Sequence, residues 1–290
     1  MKIEHIFPAI AFFLLMYSVP PVKCQEMPFQ GGENISMVVH YKWGVINADI
    51  AKLDYSVSDV SINGEKCYHV YLSGTTYKFW DNFFKVRDVY ETKVSVADCT
   101  PRYFHRDVQE GSYTASNVFD FDPSTMKVNI RVEKGKDYVL DSTLFTGGQI
   151  YDIVSAILRI RCVDFSSIVA GKPVVLTIAM DRNMVDARFR FVCREKRKID
   201  GLGTFNTVKL AASVRSRKDH YKEEAASSQF DVLNNASDVF SGDDDIVIWF
   251  SDDSNRLPLC FETPVSVGSV RGRIKTVSNQ KYPIDSKIGD

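Results

Sequence analysis

Residues 36–72 read SMVVHYKWGVINADIAKLDYSVSDVSINGEKCYHVYL, and this stretch decides the fold class. Apolar side chains stand at roughly every second position of Ser36–Trp43 and of Val45–Val57, which is the period of a β-strand with one buried face. Gly44 separates the two runs and predicts a turn or a bulge. Asn63-Gly64 is the strongest hairpin signal in the chain, because both residues tolerate positive φ. The stretch therefore predicts consecutive antiparallel strands.

One later stretch, 148–161, has the period of a helix instead. Its apolar residues follow the i, i+3, i+4, i+7, i+8 spacing and are Ile150, Ile153, Val154, Ile157 and Leu158. The opposite, polar face is assigned Gln149, Asp152, Ser155 and Arg159. Strand patterns continue on both sides, and a long twisted sheet must close or cover its edges. The sequence thus predicts a mainly β fold: a curved antiparallel sheet forming a half-open barrel or β-roll, with one central amphipathic helix (about 148–161) packed on it.

The first 24 residues resemble a secretory signal peptide. Ile6–Tyr17 is an apolar run too short to span a membrane, and Val22 and Cys24 place a cleavage site near Cys24-Gln25. A lipid-modified Cys24 and a retained anchor are the alternatives. We expect a signal peptide at 1–24 and a single β-rich domain at 25–290, or two tightly packed β halves meeting near 147–165. The expected location is the periplasm or the cell envelope.

The composition is that of an ordinary globular protein. Of 290 residues, 44% are hydrophobic and 25% are charged, which argues against a disordered chain. The 36 basic and 37 acidic residues nearly cancel, so no basic excess indicates nucleic-acid binding. No segment after the first 24 residues is long and apolar enough for a transmembrane helix, so none is predicted in the mature chain.

Catalytic and metal motifs are missing from the sequence. The histidines lack HExxH or HxH spacing, and no GxSxG, Walker or GxGxxG motif supports a catalytic residue or a cofactor. We therefore predict no catalytic residue, no metal site and no cofactor, and we lean against an enzyme. After position 24 the cysteine number is odd, which indicates at least one free thiol and leaves any pairing open; these residues are Cys67, Cys99, Cys162, Cys193 and Cys260.

Glycoside hydrolysis would need two carboxylates that face each other across the substrate. Six acidic residues are candidates, but their alternation along strands singles out no pair; they are Asp81, Asp88, Glu91, Asp181, Asp186 and Glu262. The aromatic side chains are more informative, because exposed rings can stack on sugars or line an apolar groove. They crowd into the segment TTYKFWDNFFKVRDVY, and the predicted ligand-binding residues are Tyr77, Phe79, Trp80, Phe83 and Trp43.

Several segments together resemble an exported bacterial family, domain of unknown function 3108, in particular its Bacteroidales members. The resemblance rests on Phe84–Glu91, on Tyr151–Arg159 and above all on the run from Ile248 to Pro258 followed by Val265–Val270. It covers roughly residues 30–278 and implies export and a β-rich fold, with no assigned activity. The residues that match its pattern are interpreted as fold-forming: Trp249, Asp253, Arg256, Pro258 and Gly268.

Three functions fit this sequence. The favoured one is a non-catalytic binding or carrier module for an apolar or envelope ligand such as a lipid, and it predicts an apolar cavity between helix and sheet. A glycan-binding protein or glycoside hydrolase predicts an exposed tryptophan and, for the enzyme, two facing carboxylates. A scaffold for an envelope protein partner predicts an exposed sheet edge or a large apolar patch.

Overall fold

The computed structural model describes residues 26–165, 173–216, 246–265 and 268–289. The predicted signal peptide and its cleavage site lie outside these residues. The first eight strands are β1 (Asn34–Trp43), β2 (Ile46–Ile62), β3 (Glu65–Thr76), β4 (Val86–Ser95), β5 (Pro101–Glu110), β6 (Tyr113–Asp122), β7 (Lys127–Lys134) and β8 (Tyr138–Phe145). A 3₁₀ turn, Trp80–Asn82, lies between β3 and β4.

After the helix α1 (Ile153–Arg161) come β9 (Val174–Met180), β10 (Asn183–Ile199), β11 (Gly203–Ser216), β12 (Ile246–Ser251), β13 (Pro258–Pro264), β14 (Ser269–Ser278) and β15 (Lys287–Gly289). All strands belong to one antiparallel sheet, in the order β8-β7-β6-β5-β4-β3-β2-β1-β14-β13-β12-β11-β10-β9, and β15 pairs with β11. The sheet therefore ends in β8 on one side and in β9 on the other and does not close. This confirms the predicted half-open, mainly β architecture.

The predicted turns appear where the sequence places them. Ile62 pairs with Glu65, so Asn63 and Gly64 form a two-residue hairpin turn, and both have positive φ (50° and 85°). Trp43 pairs with Ile46, which leaves Gly44 and Val45 as the turn between β1 and β2. Alternation along each strand then directs one row of side chains toward the core.

The helix begins later than its periodicity predicts, at Ile153, because Asp152 caps it. The Asp152 carboxylate accepts hydrogen bonds from the backbone N–H groups of Val154 and Ser155 at 2.9 Å, and the Ser155 hydroxyl accepts one from the Asp152 N–H. Thr92 of β4 donates a further hydrogen bond to this carboxylate at 2.7 Å. Burial raises the pKa of Asp152, and these donors act in the opposite direction.

The predicted polar face of this helix was wrong for three of its four residues; the fourth, Gln149, is exposed and precedes the helix. Asp152, Ser155 and Arg159 are buried, whereas Ile153 and Ile157 are exposed. The helix lies inside the curved sheet and contacts both β4 and β9. Most of its surface is therefore buried, whereas an amphipathic surface helix buries only one side. The capping bonds pair the Asp152 carboxylate and the Ser155 hydroxyl.

Curvature brings the two edges of the sheet to one core. Leu144 of β8 and Ala179 of β9 belong to the same apolar cluster, which also holds Val154 and Leu158 of the helix. Leu210 and Phe250 belong to a second cluster, on the β9–β12 side. The chain forms one continuous sheet, and its division into one domain or two β halves near 147–165 stays a prediction.

A buried ion pair ties three distant parts of the chain together. The Arg161 guanidinium donates two hydrogen bonds to the Glu33 carboxylate, at 2.6 and 3.0 Å, and a third to the backbone carbonyl of Asn255 at 3.0 Å. Its side chain is 1% exposed and that of Glu33 is 0% exposed. Burial by itself would lower the pKa of Arg161, but the Glu33 carboxylate more than offsets this and raises it.

Candidate functional site

Three aromatic side chains of the predicted ligand-binding set form a cluster at the 3₁₀ turn after β3. The ring centroids of Phe79 and Trp80 are 5.2 Å apart, those of Phe79 and Phe83 are 5.6 Å apart, and those of Trp80 and Phe83 are 5.8 Å apart. Phe79 is 65% exposed and Phe83 is 71% exposed. We call these three residues the aromatic cluster. Rings in mutual contact that remain this exposed offer a surface on which an apolar ligand can lie.

Polar contacts hold the aromatic cluster in place. Asp81, inside the turn, accepts hydrogen bonds from Arg87 at 2.6 and 3.0 Å and from the Thr76 hydroxyl at 2.5 Å. These donors, Arg87 first, lower the pKa of Asp81. The Trp80 indole N–H donates to the backbone carbonyl of Asp49 at 3.0 Å. The turn is therefore fixed to β2 and β4, and these contacts hold the backbone that carries the exposed rings in one conformation.

A charged group borders the aromatic cluster on β2. The Asp49 carboxylate accepts two hydrogen bonds from Arg273, both at 3.0 Å, and lies 2.9 Å from Nδ1 of His40. Arg273, and then His40, lower the pKa of Asp49 to about 2 although burial opposes them. Asp49 therefore stays ionised at physiological pH, and this side of the surface is polar.

Of the other two predicted ligand-binding residues, Tyr77 is joined to the turn through its backbone, since its carbonyl accepts from the Trp80 N–H at 2.8 Å. Tyr77 precedes the turn and is half-buried. Trp43 ends β1 and is 53% exposed, beside Val45 at the tip of the β1–β2 turn. Sequence reasoning missed Val45 and Phe84, which are also exposed. Phe84 stands in the aromatic segment and could have been included, whereas nothing in the sequence marks Val45.

The concave face of the sheet is packed with side chains. Leu158 and Ile160 of the helix are 1% and 0% exposed, and Val70 and Val208 on the sheet are completely buried. A cavity of about 110 Å³ lies beside Ile150, between the sheet and the segment that precedes the helix. That volume holds a few water molecules and is too small for an acyl chain. The packing gives no support to an apolar ligand carried between helix and sheet.

Polar side chains gather where the β9–β10 turn meets the inner face of β5–β7. Asp181 of this turn accepts a hydrogen bond from Asn117 at 2.6 Å and lies 3.5 Å from the Lys134 ammonium and 3.7 Å from the Arg106 guanidinium. The carboxylate thus has a donor on each of three neighbouring strands. Sequence reasoning named Asp181 as a candidate acid but had no means of finding these donors.

One pair of acidic residues converges in the structure. Burial and then the neighbouring Glu110 carboxylate raise the pKa of Asp88 to about 7. Glu110 lies close enough to Asp88 to raise its pKa, whereas glycoside hydrolysis needs two carboxyl groups at least about 5 Å apart on either side of a substrate. Asp88 is also 9% exposed, so this pair does not present two facing carboxylates to a substrate.

No metal site or disulfide is found in the described part of the chain. Within 26–165, 173–216, 246–265 and 268–289, no three His, Cys, Asp or Glu side chains are grouped to hold a metal ion. The structure forms no disulfide among the five described cysteines. Four of them are buried, namely Cys67, Cys99, Cys162 and Cys260, and Cys193 is half-buried.

The C-terminal residues interpreted as fold-forming make many contacts. Trp249 is buried between Arg197 and Lys209, with the Arg197 guanidinium carbon 3.7 Å from its ring centroid. Asp253 accepts hydrogen bonds from the side chain of Ser251, from the backbone N–H groups of 255 and 256, and from both the backbone N–H and the hydroxyl of Ser286.

The remaining three of these residues lie at turns. Arg256 has a φ of 46° and donates to the backbone carbonyl of Arg161 at 3.1 Å, while Pro258 begins β13. Gly268 has a φ of 86°, and a Cβ there would lie 2.4 Å from the Lys42 carbonyl oxygen. The fold-forming role of the five residues stays a prediction that substitution can test.

These features define a β-barrel-like protein with a helix in its concave face. The same class is seen in the crystal structure of a beta-barrel-like protein of domain of unknown function DUF1849 from Brucella abortus. The similarity has a TM-score of 0.51 over 86% of this chain and 98% of that chain, at 10% sequence identity, and it shows the fold alone.

The family is identified by the sequence itself. The model of the family described as Protein of unknown function (DUF3108) matches residues 36–275, and the chain belongs to this family. No curated protein matches the chain. In the described ranges, no helix combines the length and the apolar character that a membrane crossing requires.

Proposed function

We propose that this chain is an exported, non-catalytic binding protein of the cell envelope, and that it binds lipid through the aromatic cluster. The observation that carries this proposal is the contact of Phe79, Trp80 and Phe83 in a fixed turn that leaves two of the rings more than half exposed. Exposed apolar surface of this kind, rimmed by polar groups, is typical of an interaction site.

Packing of the concave face favours the outer surface for the ligand. Leu158 and Ile160 of the helix and Val70 of the sheet are at most 1% exposed, so protein side chains occupy the space that an acyl chain would need there. The aromatic cluster, by contrast, is open to solvent and needs no rearrangement of the core. Lipid binding at this surface would be peripheral, with rings inserted at the level of the headgroups.

The charges around the aromatic cluster favour an anionic lipid. Lys78 and Lys85 flank the turn and are exposed, while the charge of Asp81 is compensated by Arg87. Two ammonium groups beside exposed rings are the combination that binds anionic membrane surfaces, because aromatic insertion and charge attraction add.

Vesicle flotation tests the lipid proposal. The mature chain, 25–290, is mixed with vesicles of phosphatidylethanolamine and phosphatidylglycerol, and its partition constant is compared with that of the Phe79→Ser/Phe83→Ser variant. We expect at least a roughly tenfold loss, because burial of each phenyl ring contributes about 1.5–3 kcal/mol when complete. Met126→Asn is the matched control, since it removes an exposed apolar side chain from another turn.

Two results would count against lipid binding at this site. The first is a wild-type chain that does not float with the vesicles, and the second is a Phe79→Ser/Phe83→Ser variant that floats as well as Met126→Asn. Circular dichroism of both variants shows whether the sheet is intact, so that a loss of fold is recognised as such.

Glycan binding is the second candidate, and the exposure of Trp43 favours it. An indole face that is 53% exposed can stack on a sugar ring. A glycan-array signal that Trp43→Ala abolishes, while Phe79→Ser/Phe83→Ser leaves it intact, would replace the lipid proposal by this one.

The proposed location can be tested independently. Export with cleavage near Cys24-Gln25 predicts that protein recovered from the periplasm or envelope of its bacterial host begins at Gln25. Amino-terminal sequencing that finds Met1, or recovery from the cytoplasm alone, would contradict it. The Bacteroidales-type origin stays part of this proposal.

A further inference from the structure

Strand β8 (Tyr138–Phe145) is an edge of the sheet with one unpaired side. It pairs with β7 from Tyr138 to Phe145 and is the last strand in the sheet order. In the described part of the chain, no other segment forms a backbone hydrogen bond with residues 138–145. An edge of this kind presents free N–H and C=O groups to another strand.

The other edge of the sheet, β9, is covered over residues 177–179. Tyr151 lies against β9 as a parallel bridge to Ile178: its N–H donates to the Thr177 carbonyl at 2.9 Å, and its carbonyl accepts from the Ala179 N–H at 2.8 Å. Among the described residues, β9 thus has a partner over 177–179, whereas no segment pairs with the free side of β8.

Usual protections of an exposed edge are missing from β8. The strand contains no proline, no lysine and no bulge, and its one charged residue, Asp141, is paired with Arg131 at 3.2 Å. Its outer face carries Val139 and Phe145, which are 54% and 60% exposed. Natural edges of this length normally carry an unpaired charge or a proline against association.

The sequence of β8 is complementary to itself in one antiparallel register. A two-fold axis perpendicular to the sheet preserves its faces, so inner residues must pair with inner residues and outer with outer. Centring on Ser142 places Leu140 opposite Leu144, Val139 opposite Phe145 and Asp141 opposite Thr143 of the second copy. Each apolar residue then meets an apolar one.

The neighbouring register is unfavourable. Centring on Asp141 would place two Asp141 carboxylates directly opposite each other and would pair Leu140 with Ser142. Like charges directly opposite are destabilising in a sheet. The choice between the two registers therefore follows from charge and from apolar matching.

The geometry points to a homodimer in which β8 pairs with β8 of a second copy, centred on Ser142, so that the two sheets become continuous. Leu140 already packs against the core cluster that holds Leu144. Pairing extends this inner apolar row across the two-fold axis, where it is shielded from water. This dimer does not depend on the proposed lipid binding.

Sedimentation equilibrium of the mature chain tests the dimer. At roughly 100 µM, where a micromolar interface is nearly saturated, we expect a dimer mass. Val139→Lys places a charge beside the pairing edge and should raise the dimer dissociation constant at least about tenfold. Val175→Lys is the matched control: Val175 is an exposed valine, 46% accessible, on the opposite edge strand β9 and outside the proposed interface, and the variant should remain dimeric.

Disulfide cross-linking tests the register. In a Cys193→Ser background, Ser142→Cys should form an oxidised dimer, because residues opposite each other have Cβ atoms about 4.5–5.5 Å apart, near the reach of a disulfide. Asp141→Cys should not cross-link to itself. A monomeric wild type, a Val139→Lys variant as dimeric as Val175→Lys, or equal cross-linking at 141 and 142 would each overturn the inference.

Discussion

Replacing Glu33 by Gln tests the buried ion pair that joins the amino-terminal strand, the helix and the C-terminal turn. Glu33 provides both carboxylate oxygens to Arg161, at 2.6 and 3.0 Å. A Gln amide retains one acceptor, and its NH₂ group would face a guanidinium N–H. The substitution therefore removes one charge, removes one hydrogen bond and sets two donors against each other, at nearly constant volume.

The expected loss is large because Arg161 cannot reach water. Its side chain is 1% exposed, and its remaining acceptors are the Asn255 carbonyl and the Tyr55 hydroxyl, at 3.0 and 3.4 Å. Breaking a buried pair and leaving one charge behind costs about 3–5 kcal/mol. The free energy of unfolding of Glu33→Gln should fall by that amount.

Equilibrium urea unfolding, followed by tryptophan fluorescence, measures this loss. A lower midpoint with an unchanged slope would show a change of stability alone. Glu133→Gln is the matched control: it breaks an ion pair with Arg131 whose side chains are 46% and 51% exposed, and it should cost less than about 1 kcal/mol. The Glu33→Leu/Arg161→Met double variant should lose less than the two single changes together, since no charge remains buried.

A cost for Glu33→Gln no greater than that for Glu133→Gln would refute the reasoning. It would mean that Arg161 finds water or another acceptor, and that the pair does not hold the three segments together.

Three further predictions concern single residues. The pKa of Asp88 is about 7 in the folded state and near 3.8 in the unfolded state, so between these pH values the folded state binds one proton more. The free energy of unfolding should therefore fall by up to about 4 kcal/mol as the pH rises from 4 to 7. Asp88→Asn should remove this pH dependence from urea unfolding curves; a wild-type chain with flat stability over the range would contradict it. Gly268→Ala should lower the melting temperature well beyond Gly147→Ala, because a Cβ at 268 meets the Lys42 carbonyl while one at 147 meets nothing within 4 Å, and equal shifts would dismiss the clash. Asp253→Ala should cost about 2–4 kcal/mol by calorimetry, since it leaves several buried donors without their acceptor, and a loss under 1 kcal/mol would argue against a fold-forming role.

Local patterns in the sequence account for most of the fold. Alternation over 36–57 places β1 and β2, Asn63-Gly64 places the turn before β3, and the family resemblance agrees with the family match over 36–275. The helical period also identifies the right segment, but it misplaces the start, which Asp152 sets by capping. The periodicity of apolar residues predicts that a segment is helical, but it does not show how many sides of that helix are buried.

The candidate site was predictable in part. The crowding of aromatic residues in one short segment was visible, and three of them do form a cluster. The exposure of Phe79 and Phe83 was not visible, since aromatic residues in such segments are more often buried. Their exposure depends on how the turn after β3 is held against β2 and β4 by Trp80, Asp81 and Arg87.

The sequence by itself determined β1, β2 and the turns beside them, the segment that holds the helix, and the family, because local periodicity, turn residues and sequence similarity mark these features. It did not predict β8 or β15, whose place in the sheet depends on pairing with strands already formed. Tertiary structure alone decided that Arg161 meets Glu33 and that Asp88 lies beside Glu110. It also decided that, among the described residues, β8 has an unpaired side whereas Tyr151 bridges β9. These outcomes depend on register and sheet curvature summed over many strands, and small changes in twist at each strand move such residues toward or away from one another.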